Sequence, residues 1–359
     1  MNGLNRDPYA NVNWQNVEHI PGCTHAHCPD QKSLDRLIAG GMEFFTLANY
    51  YPSAPYYPLD SICENTFRMG QYGCCRNGKY LKEYVDFTPY SGVTDPGRPL
   101  FSALPSGSIE APNAEHHWFS DHNVYLHITS PGSSFASGNF DIKNQCKLAE
   151  AGFQLGLPIP WRKAFDMILD SLIEPDGGGI VIAHPQWSHL PVDFLCEMLD
   201  HDERVLGIEI LNTNSEVDYS DACESVWDEV LRTGRQCYGF CVQDHLQSDT
   251  WRGKIILLPE ERTQKSLLKA LREGRFYGAV TGEVKFEHIS FDGKTFRAAC
   301  SEEVFFQVIS RRGVETECSG REITFDVPRN MFSQYGYLRL DARFGRRREK
   351  LFTQPVWLE

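Results

Sequence analysis

The chain has no window approaching the roughly 18 consecutive apolar residues that a membrane-spanning helix needs. It has no basic excess either: 35 Lys and Arg stand against 48 Asp and Glu, a formal net charge of -13 over 359 residues. A surface of that sign repels a phosphate backbone, so neither a nucleic-acid nor a membrane partner is expected. The one basic run, Arg343-Phe344-Gly345-Arg346-Arg347-Arg348, is short and reads as a solvated strand or turn. There are 12 cysteines, but none forms a C-x-x-C pair, and their spacing suggests neither a disulfide nor a zinc-finger framework. They read as buried thiols acting as small hydrophobes. Internal repeats, low-complexity tracts and a Gly-rich phosphate loop of P-loop type are absent. The stretch Met1 to Asn16 is polar, with no apolar core of signal-peptide type. Together with 41% hydrophobic and 12% aromatic residues, these absences lead to the expectation of a soluble, cytoplasmic globular protein with one large domain and a smaller one.

What is present begins with Gly22-Cys23-Thr24-His25-Ala26-His27-Cys28-Pro29. The run Glu18 to Thr24 reads as a short strand ended by Pro29-Asp30. Residues two apart on a strand point to one face, so His25 and His27 project together from its C-terminal end, and Cys28 points away. Two neutral imidazoles aimed at one point form half of a metal site.

Further along, Ser33 to Gly41 has helical spacing and stops at Gly40-Gly41, and Met42 to Ala48 has the length of a strand. Strand, helix and strand in this order predict a βαβ unit and a parallel sheet. The segment from Asn49 to Ser108 interrupts the pattern with Pro, Tyr and Gly, and reads either as pocket wall or as a rigid excursion on the rim. Alternation then resumes. Asn123 to Ile128, Gly178 to Ala183, Val205 to Leu211, Gln236 to Val242 and Lys254 to Leu258 read as strands. Trp161 to Ile173, Pro191 to Leu199, Ala222 to Thr233 and Leu267 to Arg272 read as helices. This is the pattern of an α/β barrel spanning residues 1–282, with residues 49–108 as an insertion near its active site. Past Thr281-Gly282, short runs separated by turns predict a small antiparallel β-sandwich-like domain over residues 283–359.

Histidines and acids recur at the ends of these strands. His184 ends GGIVIA, Asp244-His245 follows Tyr238 to Val242, and Glu115 and His122 precede the strand at Asn123. His25, His27, Glu115, His122, His184, Asp244 and His245 thus fall near strand boundaries on one face. His116, His117 and His127 compete with His122 for a ligand role, while His19, His189, His201 and His288 read as surface or structural. Imidazole and carboxylate together suit Zn²⁺, Mn²⁺ or Fe²⁺, and a carboxylate can bridge two ions.

The order H-x-H, Glu, His, A-H-P after a Gly-rich apolar strand, then Asp-His resembles the PHP superfamily, the polymerase-and-histidinol-phosphatase group of metal-dependent hydrolases. The resemblance spans residues 18 to 282 and is strongest in GGGIVIAHPQWS, VLGIEILN, QDH and GRFYGAVTG. It implies a distorted seven-stranded (β/α) barrel, with a C-terminal β domain as in one branch of the group. It also implies that His25, His27 and Asp244 hold a first metal, that Glu115 bridges to a second, and that His122 and His184 complete that second site. A hydroxide held between the metals is then the nucleophile toward a small-molecule ester of the phosphoester type, with Glu115, Asp244 and His245 as the catalytic set.

The resemblance is incomplete. Where the family carries Thr-Asp-His at the end of the second strand, this chain has Ala48-Asn49-Tyr50, and no further His follows H-x-H between Asp30 and Asp35. Both would serve a third metal, so one or two ions are expected. Asn49, Tyr50 and Tyr51 become candidates for substrate contact instead. Asp244 and His245 are adjacent where relatives separate them, which leaves His245 as ligand, substrate contact or proton donor. Arg68, Arg76, Lys79 and Lys82 either neutralise an anionic substrate or solvate the surface. A second reading is a binding protein with a retained metal site, its ligand contacts coming from the insertion and the β domain. Metal analysis of protein purified without chelator is expected to give one or two equivalents of Zn, Mn or Fe; three tightly bound ions per chain would overturn this reading of the missing motif.

Overall fold

Short apolar runs alternating with helical segments build a mixed α/β structure of several sheets with, among the described residues, six α-helices. The structure, a computed structural model, describes residues 6–28, 30–48, 57–63, 75–76, 79–80, 97–117, 119–122, 125–136, 159–212, 222–245, 253–280, 283–345 and 349–358. No helix among them is long and apolar enough to cross a membrane.

One five-stranded sheet runs in the order Tyr238–Val242, Val205–Asn212, Ile180–Ile182, Ile128–Thr129, Glu115–His116. Its first three strands are parallel, and the last two join antiparallel. Every residue of Val205–Asn212 is buried, as a central strand covered on both faces requires. Its side chains serve two cores, with the alternation broken where its pairing shifts between Ile180 and Val181. Ile208 and Ile210 meet Leu195, Met198, Trp227 and Leu231 of the flanking helices. Leu206, with Val181 and Phe240, meets Phe44, Leu257, Leu271 and Phe276 on the other side.

The second large sheet has eleven strands. Its parallel part is Ile20–Cys23, Phe44–Phe45 and Ile109–Glu110. From Ile20–Cys23 outward, every further pairing is antiparallel, through Gly253–Leu257, Phe276–Val280 and Glu349–Thr353 to Tyr337–Phe344. The helix Gln264–Arg272 therefore connects antiparallel strands, where β-α alternation predicts parallel ones. A helical connection is long enough for a crossover, but it also allows the chain to return beside the strand it left. Among the described residues the ladders accordingly fall into four sheets.

The C-terminal strands are longer than the sequence suggests. Thr295–Ala299 and Val304–Ser310 belong to one strand, Thr295–Ser310, whose pairing with Gly313–Asp326 slips between Ala299 and Val304. Their core also takes in Tyr9, Ile256, Tyr277 and Ala279, so apolar packing crosses residue 282. Backbone pairing does so too: Gly278 lies opposite Phe352, and a Cβ on Gly278 would overlap the Phe352 ring at 1.9 Å.

Tyr238–Val242 is the last strand of the five-stranded sheet, and at Gly239 its outer edge is capped by a side chain. The Gln354 amide accepts from Gly239 N–H at 2.8 Å and donates to Gly239 C=O at 2.9 Å. Tyr9 secures the same corner, donating through its hydroxyl to Phe276 C=O and accepting from Gln354 N–H, both at 2.8 Å. Gln354→Ala leaves both Gly239 groups unpaired in a dry core, and a loss of about 1–3 kcal/mol per group is expected. Urea or thermal melts measure it, and an unchanged midpoint would mean that Gly239 finds other partners.

Candidate metal centre

The turn after Ile20–Cys23 brings two strand ends together. Ala26–His27 pairs in parallel with Asp244–His245, Asp244 opposite Ala26 and His245 opposite His27, and Asp244 N–H donates to His25 C=O at 2.7 Å. Asn113 ties a third strand end to the same point. Its amide donates to the carbonyls of Thr24 and Thr46 at 2.8 and 3.0 Å and accepts from Ser130 N–H at 2.8 Å. Glu115, two residues on, and His184, just past Ile180–Ile182, complete the convergence.

His25 Nε2 lies 3.1 Å from His27 Nε2, 3.5 Å from Glu115 Oε2 and 3.4 Å from Asp244 Oδ1. His27 Nε2 lies 3.1 Å from Glu115 Oε2 and 3.4 Å from Asp244 Oδ1. Four atoms arranged tetrahedrally at about 2.0–2.1 Å from a first-row ion stand about 3.3–3.4 Å apart. The observed separations are of that size. Glu115 Oε2 is buried, and despite these neighbours no donor among the described residues reaches it in hydrogen-bonding geometry.

The other oxygen of Glu115 faces a second set. Oε1 is 2.7 Å from His127 Nδ1 and 3.5 Å from His184 Nε2. Ligand atoms of His25, Glu115 and His184, and separately of His25, His27 and Asp244, lie within 4.8 Å of one another. His25 and Glu115 thus stand between two groupings, and an imidazole–carboxylate donor set of this kind fits a divalent first-row ion.

The structure brings together His25, His27, Glu115, His184 and Asp244, but not His122. The His122 ring stacks on Phe194 at 4.3 Å and 7°, because the turn from Phe119 carries it toward the helix Val192–Leu199. His127, named as its competitor, is the histidine at Glu115. His116 points to the opposite face, as strand alternation demands, and meets Ser130 Oγ at 2.9 Å. The His117 ring lies 5.3 Å from that of His127. His245 stacks on His27 at 4.3 Å with its side chain 43% exposed, which puts it on the rim. Cys28 is buried. His19, His201 and His288 are engaged elsewhere, with Tyr277, Asp166 and Ser290. Asn49, Tyr50, Tyr51, Arg68 and Lys82 lie outside the described residues, and the backbones of Arg76 and Lys79 are opposite one another in adjacent antiparallel strands.

Two features at the site are not singled out by sequence reasoning. Glu209, in the middle of the buried strand Val205–Asn212, meets His25 Nδ1 at 2.7 Å; the signal for it is a lone acid flanked by the apolar residues from Val205 to Leu211. Trp187 sets its ring edge-to-face against His184 at 4.9 Å and near His127 at 5.7 Å, with Tyr125 on its outer side.

Burial by itself favours neutral His25, but the carboxylates of Asp244, Glu209 and Glu115 outweigh it and hold the imidazolium well above the usual histidine range. His27 is raised in the same way against burial, by Asp244 and Glu115. Burial favours the neutral acids of Glu115 and Asp244, and the facing imidazoles reverse this, holding both carboxyls well below the usual range.

No protein-family model matches this chain, and no curated protein matches it. A solved structure similar to it is that of a two-domain protein containing a predicted PHP-like metal-dependent phosphoesterase from Bacteroides vulgatus. The two are 12% identical, the overlap covers 99% of this chain and 91% of that one, and the TM-score is 0.42. A likeness this loose assigns neither family nor activity.

At pH 7 the metal-free centre therefore holds ionised carboxylates against protonated His25, and an arriving ion must displace protons. Because the pKa values of His25 and His27 are both raised, metal affinity is expected to climb with pH until they are passed and to fall at least about tenfold per unit below them, with at least about one proton released per chain. Calorimetric Zn²⁺ titrations in buffers of different ionisation heat measure both quantities. A proton count near zero with pH-independent affinity would place the ion elsewhere.

Proposed function

We propose that this chain is a metal-dependent hydrolase of the phosphoesterase type, related to the PHP superfamily its motifs resemble. The observation that carries the reading is Glu115, whose two oxygens each face a separate set of nitrogen ligands. His25, His27 and Asp244 would hold one ion. His184 and His127, the latter in the place the sequence offers to His122, would hold a second, and Glu115 would join them. Bound there, Zn²⁺, Mn²⁺ or Fe²⁺ supplies Lewis acidity and a water acidic enough to attack an ester at neutral pH.

The remaining chemistry belongs to the chain. Burial of the ligand residues keeps bulk water from competing with their charges, which strengthens each electrostatic contact. His245, on the rim beside Asp244, is placed to contact the substrate or pass a proton to the leaving group. Trp187 and Tyr125 form an aromatic wall beside His127 and His184, suited to the face of a ring in a small-molecule substrate.

Hydrolysis of p-nitrophenyl phosphate and p-nitrophenyl acetate by metal-loaded protein tests the reading. His25→Ala and Glu115→Ala are expected to lower turnover about 100-fold or more, as the loss of several kcal/mol of transition-state stabilisation requires. Stoichiometric metal with no turnover of either ester, or activity undiminished in both variants, would defeat it.

A further inference from the structure

We propose that Glu209 is the positioning residue of this centre, a single buried carboxylate that fixes three ligand-bearing residues at once; the inference rests on the metal-site reading above. Glu209 is fully buried, and both of its oxygens accept. Oε1 faces His25 Nδ1 at 2.7 Å. Oε2 accepts from the backbone N–H of His184 at 2.9 Å and from the amide of Asn212 at 3.2 Å. The Asn212 amide also donates to Asp244 Oδ2 at 2.9 Å.

Each contact has a separate consequence. A proton held on His25 Nδ1 by Glu209 leaves the Nε2 lone pair directed at His27, Glu115 and Asp244, so the carboxylate selects the tautomer able to ligate. His184 has a backbone φ of 28° and Asp244 one of 60°, conformations that cost a side-chain-bearing residue about 1–2 kcal/mol. The bond from His184 N–H to Oε2 holds the first of these turns, and that turn aims the imidazole at Glu115. Through Asn212, the same carboxylate restrains Asp244, leaving Oδ1 to face His25 and His27.

Glutamine in this place has one acceptor where two are needed. With its oxygen toward His184 and Asn212, its NH₂ meets His25 Nδ1 and drives the imidazole proton to Nε2, where it blocks the ion. With its oxygen toward His25, three donors collide at the other end and the His184 turn loses its hold. Both orientations harm the site while preserving side-chain volume.

The experiment titrates the full-length, metal-free protein with Co²⁺, followed by visible absorption, for wild type, Glu209→Gln and Asn212→Ala. Glu209→Gln is expected to weaken Co²⁺ binding about 10–100-fold, as the loss of a carboxylate behind a ligating histidine does, and Asn212→Ala to weaken it less. In the cobalt-loaded wild type, the His25 Nδ1–H should give a paramagnetically shifted proton line that disappears in D₂O, and Glu209→Gln should lose it. Wild type and Glu209→Gln binding Co²⁺ within about twofold of each other, with that line retained, would overturn the proposal and leave the metal site standing. Wild type binding no Co²⁺ would instead overturn the metal-site reading, and this inference with it. If Glu209→Gln does not fold by circular dichroism, Asn212→Ala decides: weakened binding supports the brace, and unchanged binding removes it.

Discussion

Charge cannot be taken out of water without a partner of opposite sign close by, and that constraint shapes the centre of this protein. His25, Glu115 and Glu209 have essentially no exposure, and His27, His184 and Asp244 very little. None of these groups would keep a charge in such surroundings alone. Each is stable because the others face it, so the cluster stands or falls as a unit. The sheets that deliver them must therefore end in register with one another. The Asn113 amide, tied to Thr24, Thr46 and Ser130, is one physical means by which that register is kept.

The sequence revealed the centre more readily than the architecture around it. H-x-H at a strand end, an acid before a strand, and A-H-P after an apolar run are local patterns, and side-chain alternation alone decides where they point. His25, His27, Glu115, His184 and Asp244 were legible for that reason. The choice between His122 and His127 was not, because it depends on how the turn after Phe119 is folded, and sequence spacing does not encode that. Glu209 was hidden differently. Its strand reads as uniform core, and one acid among apolar neighbours acquires meaning only when the residue opposite it is known.

The same division runs through the fold. Helices such as Val192–Leu199 and Ala222–Arg232 lie within a residue or so of where their periodicity puts them, since a helix is fixed by its own face. Strand direction is a property of two partners. The antiparallel return through Gln264–Arg272 and the ladder between Phe276–Val280 and Glu349–Thr353 depend on long-range pairings that no local window contains.

The corner at Gln354 bears on how the chain reaches this state during translation. Gly239 bonds the Gln354 side chain there, and Tyr9, itself bonded to Phe276 C=O, accepts from the Gln354 backbone N–H, all on a residue that the ribosome delivers more than a hundred residues after Gly239. Until Gln354 emerges, the outer edge of Tyr238–Val242 carries unpaired amide and carbonyl groups that a foreign strand could match as well as the native cap does. The nascent chain consequently passes through a window of vulnerability to mispairing, the kind of species that chaperones shield. A cell making this protein needs the segment around Gln354 to arrive promptly, although the bonds Gln354 makes are to Tyr9 and Gly239, away from the histidine–carboxylate cluster.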